Sequence, residues 1–413
     1  MKKKFFEKNR KKYAEMVEAN SLSIFWGTKT GNGLLPDKFV QDSNFYYFTG
    51  IKSPNAILMI YETEKAAQNI LFIEREIPEM VVWLGKKLSK DEAKEISGID
   101  TIYYTDEFER ILNSYAINAR KGYFDYHSVP VSAQLPERLV LANKIKEHYP
   151  EIVIANPSEY VGRLRAKKSE EEIANIRKAI EITNKGIRKI FINAKSGMME
   201  YELEAILLFE CARNGEKEPG FSSIVASGKN ATTLHYEENN CKIGENDLVL
   251  LDMGAQYNGY SADISRTFPV SGEFSKRQKE VYEEVLNIQK KLINSVKPGI
   301  TLKELQEKSV KLMKKALIRL DLIENNDDEK DAYKKYYMHG IGHHLGLQTH
   351  DLAEKKAKLV AGSVITIEPG IYIKDEGIGV RIEDDILVTK KGQEVLSAMI
   401  PKEINELEQI ISK

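Results

Sequence analysis

The sequence predicts a two-domain α+β protein, in which a smaller α/β domain with a mixed sheet precedes a larger domain with an internal repeat of secondary structure. A chain of 413 residues exceeds the usual size of one domain, which is about 150 residues. Over residues 1–160, short apolar runs alternate with amphipathic ones, which is typical of an α/β domain. Residues 161–413 show the order helix, helix, strand, strand twice, which favours helices packed on one face of an antiparallel sheet.

The first domain is predicted from short apolar runs of strand length that are separated by amphipathic segments of helical length. The predicted strands are Leu22–Trp26, Ala56–Tyr61, Asn69–Glu74, Thr101–Tyr104, Gly122–Tyr126 and Glu151–Ala155. The predicted helices are Lys90–Ile96, Glu107–Ala119 and Glu137–His148. The turn Asn156-Pro157-Ser158 and the charged stretch after it are expected to end this domain.

The second domain is predicted from capping boxes, in which a Ser or Thr precedes a Glu or Gln by three residues. Three helices are predicted to begin at Ser169/Glu172, Ser275/Gln278 and Thr301/Glu304, and one more from about Glu200 to Gly215. Each pair of helices is followed by two predicted strands, which are Leu248–Ala255 and Tyr260–Val270, then Ser363–Ile373 and Ile378–Thr389.

The composition is that of an ordinary globular protein. Lys plus Arg number 61 and Asp plus Glu number 62, with 42% hydrophobic and 30% charged residues, which excludes a disordered or collagen-like chain. The basic run Lys2–Lys12 is expected to form a solvated helix face, so no nucleic acid partner is predicted. No signal peptide or membrane span is apparent, and two cysteines fit a reducing compartment, so we expect a cytoplasmic protein with no membrane partner.

Two predicted hairpins bring carboxylates together. Asn258-Gly259 favours a two-residue turn, and this register places Asp252 opposite Ser265, with Asp263 as a diagonal neighbour of Asp252 on one face. In the second hairpin, a turn at residues 375–376 would place Glu368 opposite Glu383, unless a bulge at residues 369–370 shifts the register. The sequence therefore predicts two pairs of carboxylates, one in each hairpin.

Apolar residues surround these four carboxylates, so the side chains are expected to be at least partly buried. Two unit charges of the same sign that are 4 Å apart repel by about 4 kcal/mol at an effective dielectric constant of 20. A compensating positive charge is therefore required. Two divalent cations would balance four carboxylates, and carboxylates bridge metal ions that lie about 3.5–4 Å apart.

Four of the seven histidines lie within a short segment, which contains His339, His343, His344 and His350. The first two have the spacing of a zincin helix, but Gly340 stands where that motif requires Glu, and three glycines predict a loop. A single-zinc protease of that type is therefore disfavoured. Oxygen-rich ligation with one imidazole suits Mn²⁺ best, although Co²⁺ or Zn²⁺ could substitute.

Together, these segments resemble the pita-bread metallopeptidases, and specifically the aminopeptidase P (Xaa-Pro aminopeptidase) family. The resemblance rests on LDMGAQYNGYSADISRT, MHGIGHHLGLQTHD, ITIEPGIYI and GIGVRIEDD. It extends less closely to the N-terminal half, where FVQDSNFYYFTG is similar to the N-terminal domain of that family. The five metal-ligand positions of the family fall on Asp252, Asp263, His343, Glu368 and Glu383.

The resemblance implies a role for each of these residues. Asp263 and Glu383 would bridge two metal ions, Asp252 would bind one ion, and His343 and Glu368 would bind the other. A hydroxide that bridges the ions would attack the scissile carbonyl, and Glu368 would carry the proton. The substrate site would be lined by His235, His339, His350, Tyr372 and Arg381. Imidazoles there could hydrogen-bond the peptide carbonyl and protonate the leaving imino nitrogen, which suits a group that titrates near neutral pH.

The resemblance also places Trp83 where the family has a tryptophan that reaches the active site of a neighbouring subunit, although an ordinary core position is the alternative. It therefore implies a homodimer or homotetramer.

The implied activity is release of the N-terminal residue from peptides with proline in the second position. The alternatives are a prolidase with the same site, which cleaves only Xaa-Pro dipeptides, and a non-catalytic pita-bread binding module. Methionine aminopeptidase lacks an N-terminal domain of this size, and the metal-free creatinase would not require five ligands.

Overall fold

The computed structural model describes residues 1–30, 39–126, 129–216, 218–324, 331–354 and 356–411. The chain divides into two compact units, Met1–Leu164 and Arg165–Lys413. The expected boundary at residues 160/161 stays a prediction. The predicted turn leads directly into a helix, Ser158–Ala166, which runs across both positions.

The N-terminal unit is built on a six-stranded mixed sheet, as the alternation of apolar and amphipathic runs predicts. Its strands are β1 (Ser21–Trp26), β2 (Ile57–Glu62), β3 (Gln68–Ile73), β4 (Thr101–Tyr104), β5 (Lys121–Phe124) and β6 (Val153–Ala155). Their order is β4-β3-β2-β1-β5-β6, and β2 is antiparallel to both of its neighbours. The helices are α1 (Lys3–Ala14), α2 (Ser43–Thr49), α3 (Val81–Leu84), α4 (Lys90–Ser97), α5 (Phe108–Ala116), α6 (Glu137–His148) and α7 (Ser158–Ala166).

The basic N-terminal run forms α1, and its lysines are exposed as expected. Arg10 departs from this prediction because it is buried. Its guanidinium donates hydrogen bonds to the backbone carbonyls of Phe48 (2.6 Å) and Ser97 (2.9 Å). This arginine therefore connects α1 to the ends of α2 and α4 instead of facing solvent.

The C-terminal unit carries the repeated order of elements. Its helices are α8 (Glu170–Asn193), α9 (Glu200–Arg213), α10 (Lys276–Ile293), α11 (Leu302–Arg319) and α12 (Ile404–Ile411). Its strands are β7 (Ile224–Ser227), β8 (Leu248–Met253), β9 (Gln256–Tyr257), β10 (Tyr260–Ser261), β11 (Ile264–Pro269), β12 (Val364–Ile367), β13 (Gly370–Ile373), β14 (Ile378–Arg381), β15 (Asp384–Val388) and β16 (Gln393–Val395). All three predicted capping boxes are present.

Regular pairing is interrupted within each of the two hairpins that the sequence predicts. In the first hairpin, β8 pairs with β11 and β9 pairs with β10, so the sheet is broken at residues 254–255 and 262–263. In the second, β12 pairs with β15 and β13 pairs with β14, with breaks at residues 368–369 and 382–383. Pro369 has no N–H to donate, and a Cβ on Gly254 would overlap the carbonyl of Ala262.

The register is nevertheless the same on both sides of each break. Asp252 pairs with Ser265 and Tyr257 with Tyr260, as predicted. In the second hairpin, Ile367 pairs with Asp384 and Gly370 with Arg381, so two residues face two across the gap. Glu368 is thus opposite Glu383, and the bulge considered for Pro369-Gly370 adds no net shift.

The apolar side of α8 forms part of the core of this unit. Its predicted apolar residues are all buried, namely Ile173, Ile176, Ile180, Ile187 and Ile190. Their spacings of three, four and seven residues place them on one helix face. Within the described residues, no helix combines the length and apolar character needed to cross a membrane.

Candidate metal centre

The breaks in the two hairpins hold three of the four predicted carboxylates. Asp263 lies between β10 and β11, Glu368 between β12 and β13, and Glu383 between β14 and β15. Asp252 lies near the end of β8. The regular pairing of the strands is interrupted where these carboxylates converge. The breaks and the candidate metal centre therefore occupy the same place in the fold.

The two hairpins are joined directly at these breaks. The backbone N–H of Glu383 donates to the carbonyl of Ser265 (3.0 Å), and the Ser265 hydroxyl donates to Glu383 Oε2 (2.7 Å). The Asp263 N–H donates to Asp385 Oδ2 (3.2 Å). Carboxylates from the two halves of the repeat are thereby held side by side.

His343 reaches the site from a loop that runs along β12. The Thr366 N–H donates to the His343 carbonyl (2.9 Å), and the Glu368 N–H donates to that of Ile341 (3.0 Å). Gly342 permits this close approach, because a Cβ at that position would overlap the Thr366 carbonyl. Residues 339–346 contain no helix, which agrees with the predicted loop and with the exclusion of a zincin helix.

The ligand atoms are close enough for metal binding. Asp263, His343 and Glu383 each offer an atom within 4.8 Å of the other two. His343 Nε2 is 3.3 Å from Asp263 Oδ2 and 3.6 Å from Glu368 Oε1. The structure therefore brings four of the five predicted ligands into direct proximity.

The fifth, Asp252, is held by Arg381, whose Nη2 lies 2.7 Å from Asp252 Oδ2. The other oxygen, Asp252 Oδ1, is buried and meets no hydrogen-bond donor among the described residues. A buried carboxylate oxygen without a donor is costly, and a cation would satisfy it. The hard oxygen donors with one imidazole fit a divalent cation.

The electrostatics of the cluster lead to the same conclusion. Burial, followed by repulsion from Glu383 and Asp252, raises the pKa of Asp263 well above its usual range. Burial and the neighbouring Glu368 likewise raise the pKa of Glu383. Burial raises the pKa of Glu368 to about 7. Without added positive charge, this cluster favours protonated carboxyls, and divalent cations would replace those protons.

The predicted residues of the substrate side form a hydrogen-bonded chain. Arg381 Nη1 donates to the Tyr372 hydroxyl (3.0 Å), since a guanidinium has no acceptor. The hydroxyl lies 2.9 Å from His339 Nε2, and His339 Nδ1 lies 2.8 Å from the Gly340 carbonyl. Tyr372 therefore donates to Nε2, and Nδ1 carries the proton that is donated to Gly340.

This arrangement keeps His339 neutral. Burial, followed by the charge of Arg381, lowers the His339 pKa to about 4. With Nε2 as an acceptor and its pKa lowered, His339 is an uncharged imidazole in this environment. Burial also raises the Tyr372 pKa to about 12, which keeps its hydroxyl protonated.

His350 and His235 are the exposed imidazoles of the site. The His350 ring meets the His343 ring edge to face, with centroids 4.2 Å apart. Burial and the charge of His343 lower the His350 pKa. His235 is near enough to contribute to the lowered pKa of both His339 and His350, so it belongs to the same cluster.

Trp83 belongs to the N-terminal unit, where it lies on α3 and is 71% exposed. The alternative of an ordinary core tryptophan is therefore excluded within this chain. Its place in the active site of a neighbouring subunit stays a prediction.

Sequence reasoning did not identify Ser265 and Asp385, which support the centre. Asp385 is fully buried, and burial with the charge of Asp263 raises its pKa well above the usual range. The run Ile382–Asp385 suggests only the end of a strand. The spacing of Glu383 and Asp385 by two residues, which directs both to one face of a strand, was the available signal.

Two family models match this chain. "Metallopeptidase family M24" matches residues 174–390, and "Aminopeptidase P, N-terminal domain" matches residues 6–123. The first match spans more than half of the chain and contains all five predicted ligands. The chain belongs to metallopeptidase family M24. The resemblance inferred from the sequence motifs is confirmed, and the chain is a metallopeptidase.

Similar M24 proteins match over nearly their whole length. The chain is 35% identical over 427 residues to the Xaa-Pro aminopeptidase of Haemophilus influenzae, covering 100% of this chain and 97% of that protein. A Bacillus anthracis structure with a provisional aminopeptidase P assignment has a TM-score of 0.95 at 42% identity, covering 100% and 99% of the two chains.

Zinc-substituted Escherichia coli aminopeptidase P in complex with product has a TM-score of 0.92 at 30% identity, covering 100% of this chain and 98% of that chain. The matches over the whole chain confirm the pita-bread fold with a smaller N-terminal domain. The solved structure with zinc also agrees with a divalent metal in this family.

Proposed function

We propose that this protein is a metal-dependent aminopeptidase that releases the N-terminal residue from peptides with proline in the second position. The observation that carries the proposal is the convergence of four buried or half-buried carboxylates and one imidazole where two hairpins meet. The Xaa-Pro aminopeptidases of Haemophilus influenzae and Escherichia coli, which match nearly the whole chain, support the substrate class.

Two divalent cations per chain are proposed as the cofactor, with Mn²⁺ as the first choice and Co²⁺ or Zn²⁺ as alternatives. Asp263 and Glu383 would bridge the ions, Asp252 would bind one, and His343 and Glu368 would bind the other. When bound, such a pair lowers the pKa of water and stabilises negative charge that develops on the scissile carbonyl.

Glu368 is proposed to carry the proton. It would accept a proton from the attacking water and return it toward the leaving nitrogen. Glu368 Oε2 lies 3.8 Å from His339 Nδ1, so a neutral imidazole is beside it. The hydrogen bonds that link Arg381, Tyr372 and His339 would then hold these side chains in place while the proton moves.

The exposed imidazoles of His235 and His350 are proposed to hydrogen-bond the peptide near the scissile bond. A bond before proline is a tertiary amide, which has no N–H and a restricted geometry. The proline nitrogen must be protonated before it can leave. Proton donors beside the substrate therefore have a direct function. Arg381 would orient Asp252 and Tyr372 through its hydrogen bonds to both.

The protein is proposed to act as a homodimer or homotetramer in the cytoplasm. The exposed Trp83 supports contact with a partner, because the apolar residues Val82 and Leu84 beside it are also exposed. The two cysteines, Cys211 and Cys241, are both free, which fits a reducing compartment.

A substrate panel tests this proposal. Metal-loaded enzyme is expected to release the first residue from Xaa-Pro dipeptides and from longer Xaa-Pro peptides, and to spare matched Xaa-Ala peptides. Cleavage confined to dipeptides would indicate a prolidase instead. Absence of cleavage by Mn²⁺-, Co²⁺- and Zn²⁺-loaded protein would favour the non-catalytic binding module.

A further inference from the structure

The carboxylate of Glu200, at the start of α9, accepts hydrogen bonds from five donors although the residue is fully buried. Oε1 accepts from the Ser227 N–H (2.7 Å), the Ser227 hydroxyl (2.7 Å) and Asn230 Nδ2 (3.1 Å). Oε2 accepts from the Tyr236 hydroxyl (2.7 Å) and the Cys241 N–H (2.9 Å). A buried carboxylate that accepts this many hydrogen bonds fixes the positions of the groups that donate them.

All five donors come from one segment, residues 227–241, which also carries His235. The donors lie at both ends of the segment and at its middle. Tyr236, the residue next to His235, is buried, whereas His235 itself is exposed. The segment is therefore fixed on its inner side by Glu200, and its outer side presents an imidazole.

The same segment packs against the active-site hairpin. Tyr236 belongs to the buried apolar cluster that includes Tyr372, the hydroxyl partner of His339 and Arg381. A Cβ on Gly379, in β14, would overlap the carbonyl of Ala231, so this strand and the segment are in close contact. Movement of the segment would thus displace His235 relative to the metal centre.

We propose that Glu200 is a positioning residue that acts through Tyr236 to hold His235 at the substrate. This inference rests on the proposed function, because His235 matters only if a peptide binds beside it. A carboxylate suits the task, since it is acceptor-only and all five partners are donors. Its place in the first turn of α9 adds favourable interaction with the helix dipole.

A double-mutant cycle of Tyr236→Phe and His235→Ala tests the proposal. Removal of the Tyr236 hydroxyl leaves the ring in its cluster but breaks one hydrogen bond to Glu200. We expect kcat/KM for an Xaa-Pro tripeptide to fall about tenfold in the wild-type background and less than about twofold in the His235→Ala background. Equal losses in both backgrounds would overturn the proposal, because a general loss of structure does not depend on His235.

Tyr282→Phe is the matched control. Tyr282 is fully buried on α10, and its hydroxyl donates to the Lys402 carbonyl (2.7 Å), so this variant also loses one hydrogen bond of a buried tyrosine. We expect its Tm to fall and its kcat/KM to stay within about twofold of wild type. A tenfold loss in this control would overturn the assignment of a specific role to Tyr236.

Hydrogen exchange provides a readout that needs no activity. In Tyr236→Phe, the amides of residues 227–241 are expected to exchange faster, whereas those of α8 are unchanged. Unchanged protection of the segment would overturn the proposal. If Tyr236→Phe does not fold, Asn230→Ala, which removes the longest of the five hydrogen bonds, takes its place in both experiments.

The outcomes separate this inference from the proposed function. If the wild-type protein cleaves Xaa-Pro peptides but His235→Ala retains normal kcat/KM, the role of His235 is wrong and the positioning proposal fails, while the proposed function stands. If wild-type protein cleaves no Xaa-Pro peptide, the proposed function fails, and hydrogen exchange alone decides whether Glu200 organises the segment.

Discussion

At the scale of single residues, the centre is a set of acids placed where their charges repel one another. Asp263, Glu368 and Glu383 all have raised pKa values, and burial is the first cause in each. Their geometry therefore costs free energy in the metal-free protein. Function and stability are opposed at these positions, which is common at active sites.

Replacing a proposed bridging residue separates these two effects. We expect Asp263→Asn to abolish turnover, since an amide binds a cation poorly, and to raise the Tm of the metal-free protein at pH 8. The isosteric Glu383→Gln should behave in the same way. Activity assays and thermal unfolding with and without Mn²⁺ measure both effects. Normal kcat in either variant would contradict the bridging assignment.

The raised pKa of Glu368 predicts how stability depends on pH. A carboxyl whose folded-state pKa is about 7, above the ordinary value of 4.5, binds more protons folded than unfolded. Its contribution is complete below about pH 4.5 and is lost as the pH rises through 7. Metal-free protein should thus lose stability between pH 5 and pH 8, and Glu368→Gln should lose less over the same range. Equal slopes in urea unfolding would contradict this.

Metal binding should show the opposite pH dependence. Binding of a cation displaces the protons that raised pKa values favour, so affinity is expected to rise from pH 6 to pH 8 with release of protons. Calorimetry in two buffers of different ionisation enthalpy counts those protons. A binding enthalpy that is identical in both buffers, after correction for dilution, would show that the carboxyls are already ionised.

The residues that the sequence could predict are those with a local pattern. The turn Asn258-Gly259, with both residues at positive φ, fixes the register that pairs Asp252 with Ser265. The contact from the Asp263 N–H to Asp385 joins positions 122 residues apart, and no local pattern indicates it. The motif resemblance, not spacing, selects His343 from its neighbours.

At the scale of elements, the breaks in the hairpins are the feature that sequence patterning did not predict. The sequence pattern of the second hairpin predicts two long, continuous strands. The break leaves no trace in this pattern, because the pairing register is the same on both sides of it. Helices with capping boxes were predicted well, since the box is a local signal. The helix α2 and the strand β7 were missed. In each, nearly all residues are buried, so there is no periodic contrast to read.

Gly254 is expected to be essential for the first break. In Gly254→Ala, the added Cβ would meet the Ala262 carbonyl, so the backbone must shift and unfolding free energy should fall by about 1–3 kcal/mol. Activity should fall with it, because Asp263 follows Ala262. Gly392→Ala is the control, since a Cβ added there would have no atom of the described residues within 4 Å, its chain neighbours aside. Urea unfolding of both variants measures the difference, and equal stabilities would contradict the close approach.

At the scale of the whole molecule, the two tryptophans have different roles. Trp83 is 71% exposed, and Trp26 is 6% exposed within the core of the N-terminal unit. We expect Trp83→Ala to leave the Tm unchanged, to weaken self-association and to raise KM for peptides. Trp26→Ala should destabilise the chain by about 3–5 kcal/mol. Light scattering, thermal unfolding and peptide kinetics measure these effects, and an unchanged KM with intact oligomers would contradict the proposed role of Trp83.

The five proposed metal ligands are spread along the second half of the chain. Glu383 accepts a hydrogen bond from Ser265, which belongs to the other half of the repeat. A nascent chain that ends before residue 368 contains only Asp252, Asp263 and His343 of the five. The ribosome must therefore have made most of the protein before an ion can be fully enclosed. Binding of a cation by all five residues is then a late event of biosynthesis. It requires that both halves of the repeat have been made and have packed together.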